Sequence, residues 1–278
     1  MFMKSNIQIS LFSLLLVLGS MLTACQVIPQ GEQILESFTP ADTSQIKRAS
    51  LLIEYSGWRC MNCPNAAAVA HDLQEQYGEQ LVVVVMHPAT NPNTRYGNNQ
   101  AVNYTCPEAD SVYLKMGGTN ATPFPTGNIN FQQQDNSYFT GSDTWATQMS
   151  RYYVSSPIIM SQTVTHENNT VDIELYLCNM GSSTLNTTLQ IWLTEDGVVG
   201  RQYMPDGKTN NEYTHNHLMR ATVLPSVWGE SCQLPSITPQ TLHFRYTLPE
   251  KVVAENCNIV SILSTGDMVI QATETSVQ

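Results

Sequence analysis

The stretch Leu51-Leu52-Ile53-Glu54-Tyr55-Ser56-Gly57-Trp58-Arg59-Cys60-Met61-Asn62-Cys63-Pro64 decides how this chain is read. An apolar strand runs into two cysteines with two residues between them, these open a helix, and the carboxylate Glu54 precedes the first sulfur by six residues. A helix N-terminus offers unpaired N–H groups and a partial positive charge, which favour the thiolate, and the thiolate is the form that attacks a disulfide. The layout is that of a dithiol/disulfide switch. The same two cysteines also suit a static structural bridge.

Elements of α/β type surround this motif. Ser50 to Tyr55 reads as a buried strand, and Pro64 to Tyr77 as a helix with Ala66, Val69, Leu73 and Tyr77 on one face and Gly78 as its stop. Leu81 to Met86 is apolar throughout, as in a central parallel strand. Pro107 to Met116 is a second helix, with Glu108 and Asp110 in its first turn. Gly127 to Phe131 and Ser137 to Thr140 form a hairpin, and Ser142 caps a last helix ending at Tyr152. Asn91 to Asn99 reads as a polar loop. Beyond Ser155-Ser156-Pro157 the pattern changes to alternation, with Val171, Ile173, Leu175 and Leu177 on one face and Leu189, Ile191 and Leu193 on another. Further strands are expected at 218–223, 241–247, 259–263 and 269–272, which together read as an antiparallel sandwich. The fold class expected is an α/β domain over residues 49–155 followed by an all-β, immunoglobulin-like sandwich over 156–278.

The N-terminus has the lone Lys4, an apolar segment from Ile7 to Leu18, and Leu22-Thr23-Ala24-Cys25. This resembles a bacterial lipoprotein signal over 1–24, with Cys25 acylated after cleavage and 25–48 a tether. Gln26 follows Cys25 and no acid appears before Glu32, which suits an outer-membrane address facing the periplasm, with surface exposure as the alternative. The net charge of −11 becomes −12 once Lys4 is removed. So acidic a chain excludes nucleic acid as a natural partner and leaves the lipid as the membrane attachment. Besides Cys25, six of the seven cysteines remain, an even number that suits disulfides in an exported chain. Cys106, Cys178, Cys232 and Cys257 allow three pairings. Cys106 precedes a helix and is either a third redox thiol or a bridging partner. Cys178, Trp192 and Cys257 imitate an immunoglobulin core, but Cys178 and Trp192 fall opposite their strands' aliphatic faces, so no buried disulfide is expected there.

A metal site needs more ligands than one Cys-x-x-Cys supplies. His215 and His217 are read on one side of a strand without an evident third ligand, so neither a metal nor a cofactor is expected. His71 is read as solvated. His87 ends the strand 81–86 on the sheet edge that carries the dithiol, a place from which it would tune Cys60; a plain strand-end histidine is the simpler reading.

At several separate points the first half resembles the thioredoxin fold. Glu54 stands where that family keeps a buried carboxylate for proton transfer, Trp58 matches its aromatic lead-in, and Phe124-Pro125-Thr126 matches its cis-proline beside the substrate strand. The resemblance implies an exposed, attacking Cys60, a resolving Cys63 and added positive charge from Arg59. Met61-Asn62 departs from the family's Gly-Pro, and Pro64 places the helix start near Cys63, off Cys60. Taken whole, the chain is similar to the outer-membrane-protein-28-related lipoproteins. The match rests on the lipoprotein start, Glu54 to Pro64, Phe124-Pro125-Thr126-Gly127 and Tyr213-Thr214-His215-Asn216-His217-Leu218-Met219-Arg220. That resemblance implies a thioredoxin-like domain joined to a β-sandwich. Two functions follow: a thiol-disulfide oxidoreductase acting on exported proteins that carry thiols or disulfides, or an adhesin, receptor or binding module with a structural Cys60–Cys63 bridge. A serine hydrolase is distant, since no Gly-x-Ser-x-Gly elbow occurs.

Overall fold

A computed structural model describes residues 46–96 and 102–277. The expected signal, the tether up to residue 45 and Cys25 lie outside them. Among the described residues three α-helices and thirteen strands make a mostly β architecture, and all of them fall within one compact unit.

The first stretch follows the order read from sequence. Strand β1 (Ser50–Tyr55) pairs in parallel with β2 (Leu81–Met86) and antiparallel with β3 (Thr126–Ile129). The Val-Val-Val-Val core of β2 favours the extended form because branched side chains are stiff and pack well on a pleated surface. Helix α1 (Cys63–Tyr77) begins one residue earlier than expected, with Pro64 in its first turn, and ends at Gly78, whose φ of 55° permits the stop. Helices α2 (Pro107–Lys115) and α3 (Trp145–Tyr152) complete the set. The expected hairpin is reduced to paired bridges, Gly127 with Thr140 and Gln134 with Ser137.

Strands β4 (Ile158–Glu167), β5 (Thr170–Asn179) and β11 (Gln240–Thr247) form a three-stranded sheet in the order β11-β5-β4. It packs on one face of a larger sheet containing β6 (Leu185–Glu195), β9 (Leu218–Thr222), β10 (Glu230–Leu234), β12 (Cys257–Thr265) and β13 (Met268–Ser276). Val164, Val171, Ile173, Leu175 and Leu177 meet Leu189, Ile191, Leu193, Ile259 and Leu263 there. Two further strands, β7 (Val198–Tyr203) and β8 (Thr209–His215), make a separate hairpin. Strands β4, β7, β8 and β10 carry too many polar residues to announce themselves by alternation.

The larger sheet does not stop at residue 155. Its order is β13-β12-β6-β9-β2-β1-β3, with β10 branching from β6, and the seam is a short parallel contact between Val85 and Leu218. The sheet also curls until its ends touch: the Val269 amide donates to the Asn130 carbonyl, the Ala49 amide to Gln271 Oε1, and the Arg48 guanidinium to the Val269 carbonyl. The inner face of the curl holds Leu51, Ile53, Tyr55, Val82, Val84 and Met86 against Trp192, Val260 and Ile262. Trp192 therefore does lie opposite its strand's aliphatic face, and it is buried because that face is covered too. On the outer side of β1 and β2, Leu52 and Val83 pack on Ala66, Ala70 and Leu73 of α1 and on Trp145 and Met149 of α3. Glu54 shares this helix-covered side, two residues along from Leu52.

Candidate functional site

The carboxyl end of β1 delivers the dithiol. Ser56 continues the ladder by donating to the Met86 carbonyl, and the chain then turns through Gly57. A Cβ at residue 57 would stand 2.6 Å from the Asn93 carbonyl oxygen, so glycine is required for this close passage. The Cys60 amide donates to the Gly57 carbonyl at 2.9 Å and the Cys63 amide to the Cys60 carbonyl at 3.3 Å, which wraps the loop into a tight turn. Cys60 and Cys63 are joined in a disulfide. Asn62 is the N-cap of α1, so Cys63 occupies the first helical position and Cys60 stands outside the helix. The helix dipole acts on the inner sulfur more than on the outer one.

Two neighbouring segments complete the edge. The Phe124–Pro125 bond is cis. The register Tyr55 with Thr126 sets Pro125 opposite Ser56, next to the dithiol loop. Asn91, fully buried, ties this region together: its Nδ2 donates to the Thr122 carbonyl at 2.9 Å, its Oδ1 accepts from the Asn93 amide at 3.0 Å, and the Asn93 carbonyl accepts from the Arg59 amide at 3.0 Å. The sequence reading passed over Asn91 as part of a polar loop. The signal was Asn91-Pro92, an asparagine able to cap its own turn followed by a proline.

The third side is supplied from the far half of the chain. The Tyr203 amide of β7 donates to the Trp58 carbonyl at 2.7 Å, and Gln202 Nε2 reaches the carbonyls of Cys60 at 2.9 Å and Gly57 at 3.4 Å. Gln202 is itself buried. Tyr104 holds the hairpin from behind, its hydroxyl accepting from the Arg201 amide at 2.7 Å; a Cβ at Gly200 would collide with that hydroxyl. Trp58 is sealed beneath, with its indole N–H on the Arg95 carbonyl and its ring edge-on to Tyr203. The hairpin changes the expectation for Cys60, which is 5% exposed rather than open, while Met61 beside it is 51% exposed.

Glu54 is 1% exposed; neither carboxyl oxygen makes a regular hydrogen bond, and the Ser56 side chain is the polar group beside them. Burial pushes it up to about 8, tempered by the Ser56 side chain. It borders a cavity of about 260 Å³ that reaches Pro64, next to Cys63, and is lined on the other side by Tyr213 and His217. His87 is buried beside Tyr104 and His215, with ring centres 5.6 and 5.7 Å away. Burial, then the neighbouring His215 and Arg220, hold it well below the usual histidine range, so it is neutral and lends no positive charge to the site. His215 and His217 do not share a strand side: His215 ends β8 within the aromatic cluster, while His217 follows in a turn with φ of 55° and meets Asp196. His71 is exposed beside Glu75.

The expectation of further disulfides fails among the described residues. Cys106, Cys178, Cys232 and Cys257 are free, and all but Cys232 are buried. Their sulfurs have local partners instead. Cys106 caps α2 by accepting from the Ala109 amide and donates to the Met219 carbonyl, while Cys257 donates to the Val253 carbonyl. Burial pushes both thiols up to about 12, which removes Cys106 as a third redox thiol.

The sequence model for outer membrane protein Omp28 matches residues 116–278. The chain belongs to the Omp28 family. That membership places it at the outer membrane. The matched region starts at the end of α2, so it takes in Pro125, the hairpin with Gln202 and the whole β-sheet half, and leaves Cys60 and Cys63 outside. No curated protein sequence matches the chain. Among solved structures, HBP35 of Porphyromonas gingivalis is similar with a TM-score of 0.65 and 13% identity, over 84% of this chain and 76% of that one. A structural-genomics protein of Agrobacterium tumefaciens has a TM-score of 0.51 and 12% identity, over 82% and 94%. A domain of the outer membrane lipoprotein Omp28 from Porphyromonas gingivalis shares 18% identity over 44% of this chain and 89% of that domain, with a TM-score of 0.32. At these identities the first two likenesses concern the fold alone. No helix among the described residues is long and apolar enough to cross a membrane.

Proposed function

We propose that this Omp28-family protein is an envelope lipoprotein, anchored through Cys25 and facing the periplasm, whose thioredoxin-like first half exchanges disulfides with exported proteins. One observation carries the reading. A disulfide at the head of α1, a cis peptide at the head of β3 and a buried carboxyl group on β1 converge on one sheet edge. A merely structural bridge needs neither of the other two.

In the reduced protein the Cys60 thiolate attacks a partner's disulfide, forming a Cys60–partner disulfide and releasing one partner sulfur as thiolate. The ionised fraction of Glu54 then takes the Cys63 proton, and the Cys63 thiolate attacks the Cys60 sulfur, releasing the second partner sulfur as thiolate. The protein dithiol is oxidised by two electrons and the partner's disulfide is reduced; the reverse sequence oxidises a partner dithiol. A carboxyl group near 8 gives and takes a proton readily at neutral pH. Phe124 and Pro125 line the seat for an extended partner strand, the sealed Trp58 ring supports the loop from beneath rather than touching the partner, and Arg59 supplies charge beside the outer sulfur. His87 contributes shape through Tyr104 rather than charge.

The second reading is a binding module with a structural bridge, favoured by the near-complete burial of Cys60 under Gln202. Replacing Cys63 by Ser and collecting protein from whole cells separates the two. Mixed disulfides at Cys60, together with turnover of a small disulfide by the unaltered protein, support exchange. Absence of both leaves the binding module.

A further inference from the structure

The rim of the disulfide loop carries more positive charge than the one guanidinium, Arg59, that the exchange reading uses. The Arg59 guanidinium lies 4.7 Å from the centre of the Trp58 ring and that of Arg201 lies 5.3 Å from the same ring, with Tyr203 at 5.9 Å. The backbone carbonyl of Arg95 takes the Trp58 indole N–H, and the Arg95 side chain is exposed in that neighbouring loop. Among the described residues, none of the three has an Asp or Glu within ion-pair distance, whereas Arg220 pairs with Glu195 and Arg245 with Asp172. The whole chain has 12 basic and 23 acidic residues. Against that composition, two guanidiniums without an acidic partner over one indole run counter to chance placement and to their own mutual repulsion.

The geometry points to a docking rim, made by Arg59 and Arg201 over Trp58 and flanked by the exposed loop of Arg95, for an acidic segment flanking the disulfide of an exported protein. This inference rests on the exchange reading and names its partner class. Guanidinium forks match carboxylates in two-point hydrogen bonding, and stacking on the indole holds two of the forks in place before the partner arrives. Positive potential beside the loop then steers negatively charged partners onto the disulfide and rejects basic ones. Arg201 comes from β7, so the second half of the chain selects what the first half processes. An anionic membrane is the weaker candidate, because lipid-binding clusters hold roughly 4 to 8 basic residues and the rest of this chain is acidic.

The test uses the full chain in neutral detergent with Cys60→Ser and Cys63→Ser together, so that binding is read without chemistry. Two disulfide-bridged peptides are compared, one flanked by glutamates and one by lysines. The acidic peptide is expected to bind about 10-fold tighter at low salt, and the preference to fade as salt screens it. Arg201→Glu should abolish the preference, and Lys251→Glu, the same charge change in the loop before β12, should leave it. Equal binding of the two peptides overturns the proposal, as does a preference that survives Arg201→Glu, or Arg201-dependent binding to phosphatidylglycerol vesicles without binding of the acidic peptide. Turnover of neutral hydroxyethyl disulfide by the unaltered protein is measured beside it. If that turnover is missing while the Arg201-dependent preference stands, the exchange reading fails and the docking rim remains.

Discussion

Two helices of this protein open with the same dipeptide. Cys63-Pro64 heads α1 and Cys106-Pro107 heads α2, yet the structure treats the two thiols in opposite ways. Cys63 enters the first helical turn and bonds to Cys60 at the sheet edge. Cys106 stays one position earlier, as the cap, accepts the Ala109 amide, donates to the Met219 carbonyl and is driven up to about 12 by burial. A helix N-terminus therefore does not make a thiol reactive. A second sulfur within reach decides, and that depends on which segment packs over the helix start: the Cys60 loop for α1, strand β9 for α2.

The largest effect expected from this contrast is in thiol chemistry. After mild reduction of the folded protein, maleimide should label Cys60 at least about 10-fold faster than Cys106 or Cys257, whose thiols burial pushes up to about 12; exposure does not separate Cys60 from Cys106, at 5% and 9%. Comparable labelling of Cys106 in the native state, read by mass spectrometry, would break the comparison.

How much of this was legible in sequence varies with distance along the chain. The order of β1, α1, β2 and α2 was readable because each element carries its own period and stop signal, such as Gly78 and the four consecutive valines. The cis bond at Pro125 was readable only through resemblance. The covering of Cys60 was not readable at all, because Gln202 lies 142 residues away in a strand whose composition is polar. The same holds for Trp192: alternation set it on the non-aliphatic face, but only the curling of the sheet shows that this face is interior.

A second prediction separates buried acids from buried histidines. Glu54 is raised to about 8, so between its unfolded value near 4.5 and 8 the folded state holds a proton that the unfolded chain has lost. Glu274, raised to about 7 by burial and by Asp196, acts in the same direction up to that pH. Stability contributed in this way is lost as pH rises. His215, lowered to about 4 by burial, and His87 act oppositely: the unfolded chain gains protons below about 6.5 that the folded state refuses, so they cost stability as pH falls. The two trends offset each other below 6.5. Above it the carboxyls act alone, so stability should fall between pH 6.5 and 8, by up to about 1.4 kcal/mol per pH unit for each group still protonated. Glu54→Gln should flatten most of that decline above pH 7, measured by denaturant unfolding. An unchanged slope removes the case for a high carboxyl at residue 54.

Gln202→Ala sharpens the difference in covering. It strips the Cys60 and Gly57 carbonyls of their side-chain donor, at an expected cost of about 1 to 2 kcal/mol. Reduction of the disulfide should become faster as Cys60 opens. Lost stability with unchanged reduction would show that the hairpin braces the loop without controlling access to it.

The smallest effect tests what Cys106 contributes as a cap. Cys106→Ser keeps an oxygen able to accept from Ala109 and donate to Met219, although the shorter side chain loosens the packing slightly. Cys106→Ala has neither capability, and it leaves the Met219 carbonyl and the first-turn amide without their partners. If capping is the role of this thiol, the alanine variant should be less stable than the serine variant by about 1 kcal/mol. The corresponding pair at Cys63 should show no such gap, since Asn62 is the cap of α1 and either change breaks the same disulfide. Equal stability of the two variants at residue 106 would mean that burial alone holds the sulfur in place, and the two Cys-Pro helix starts would then differ in packing only.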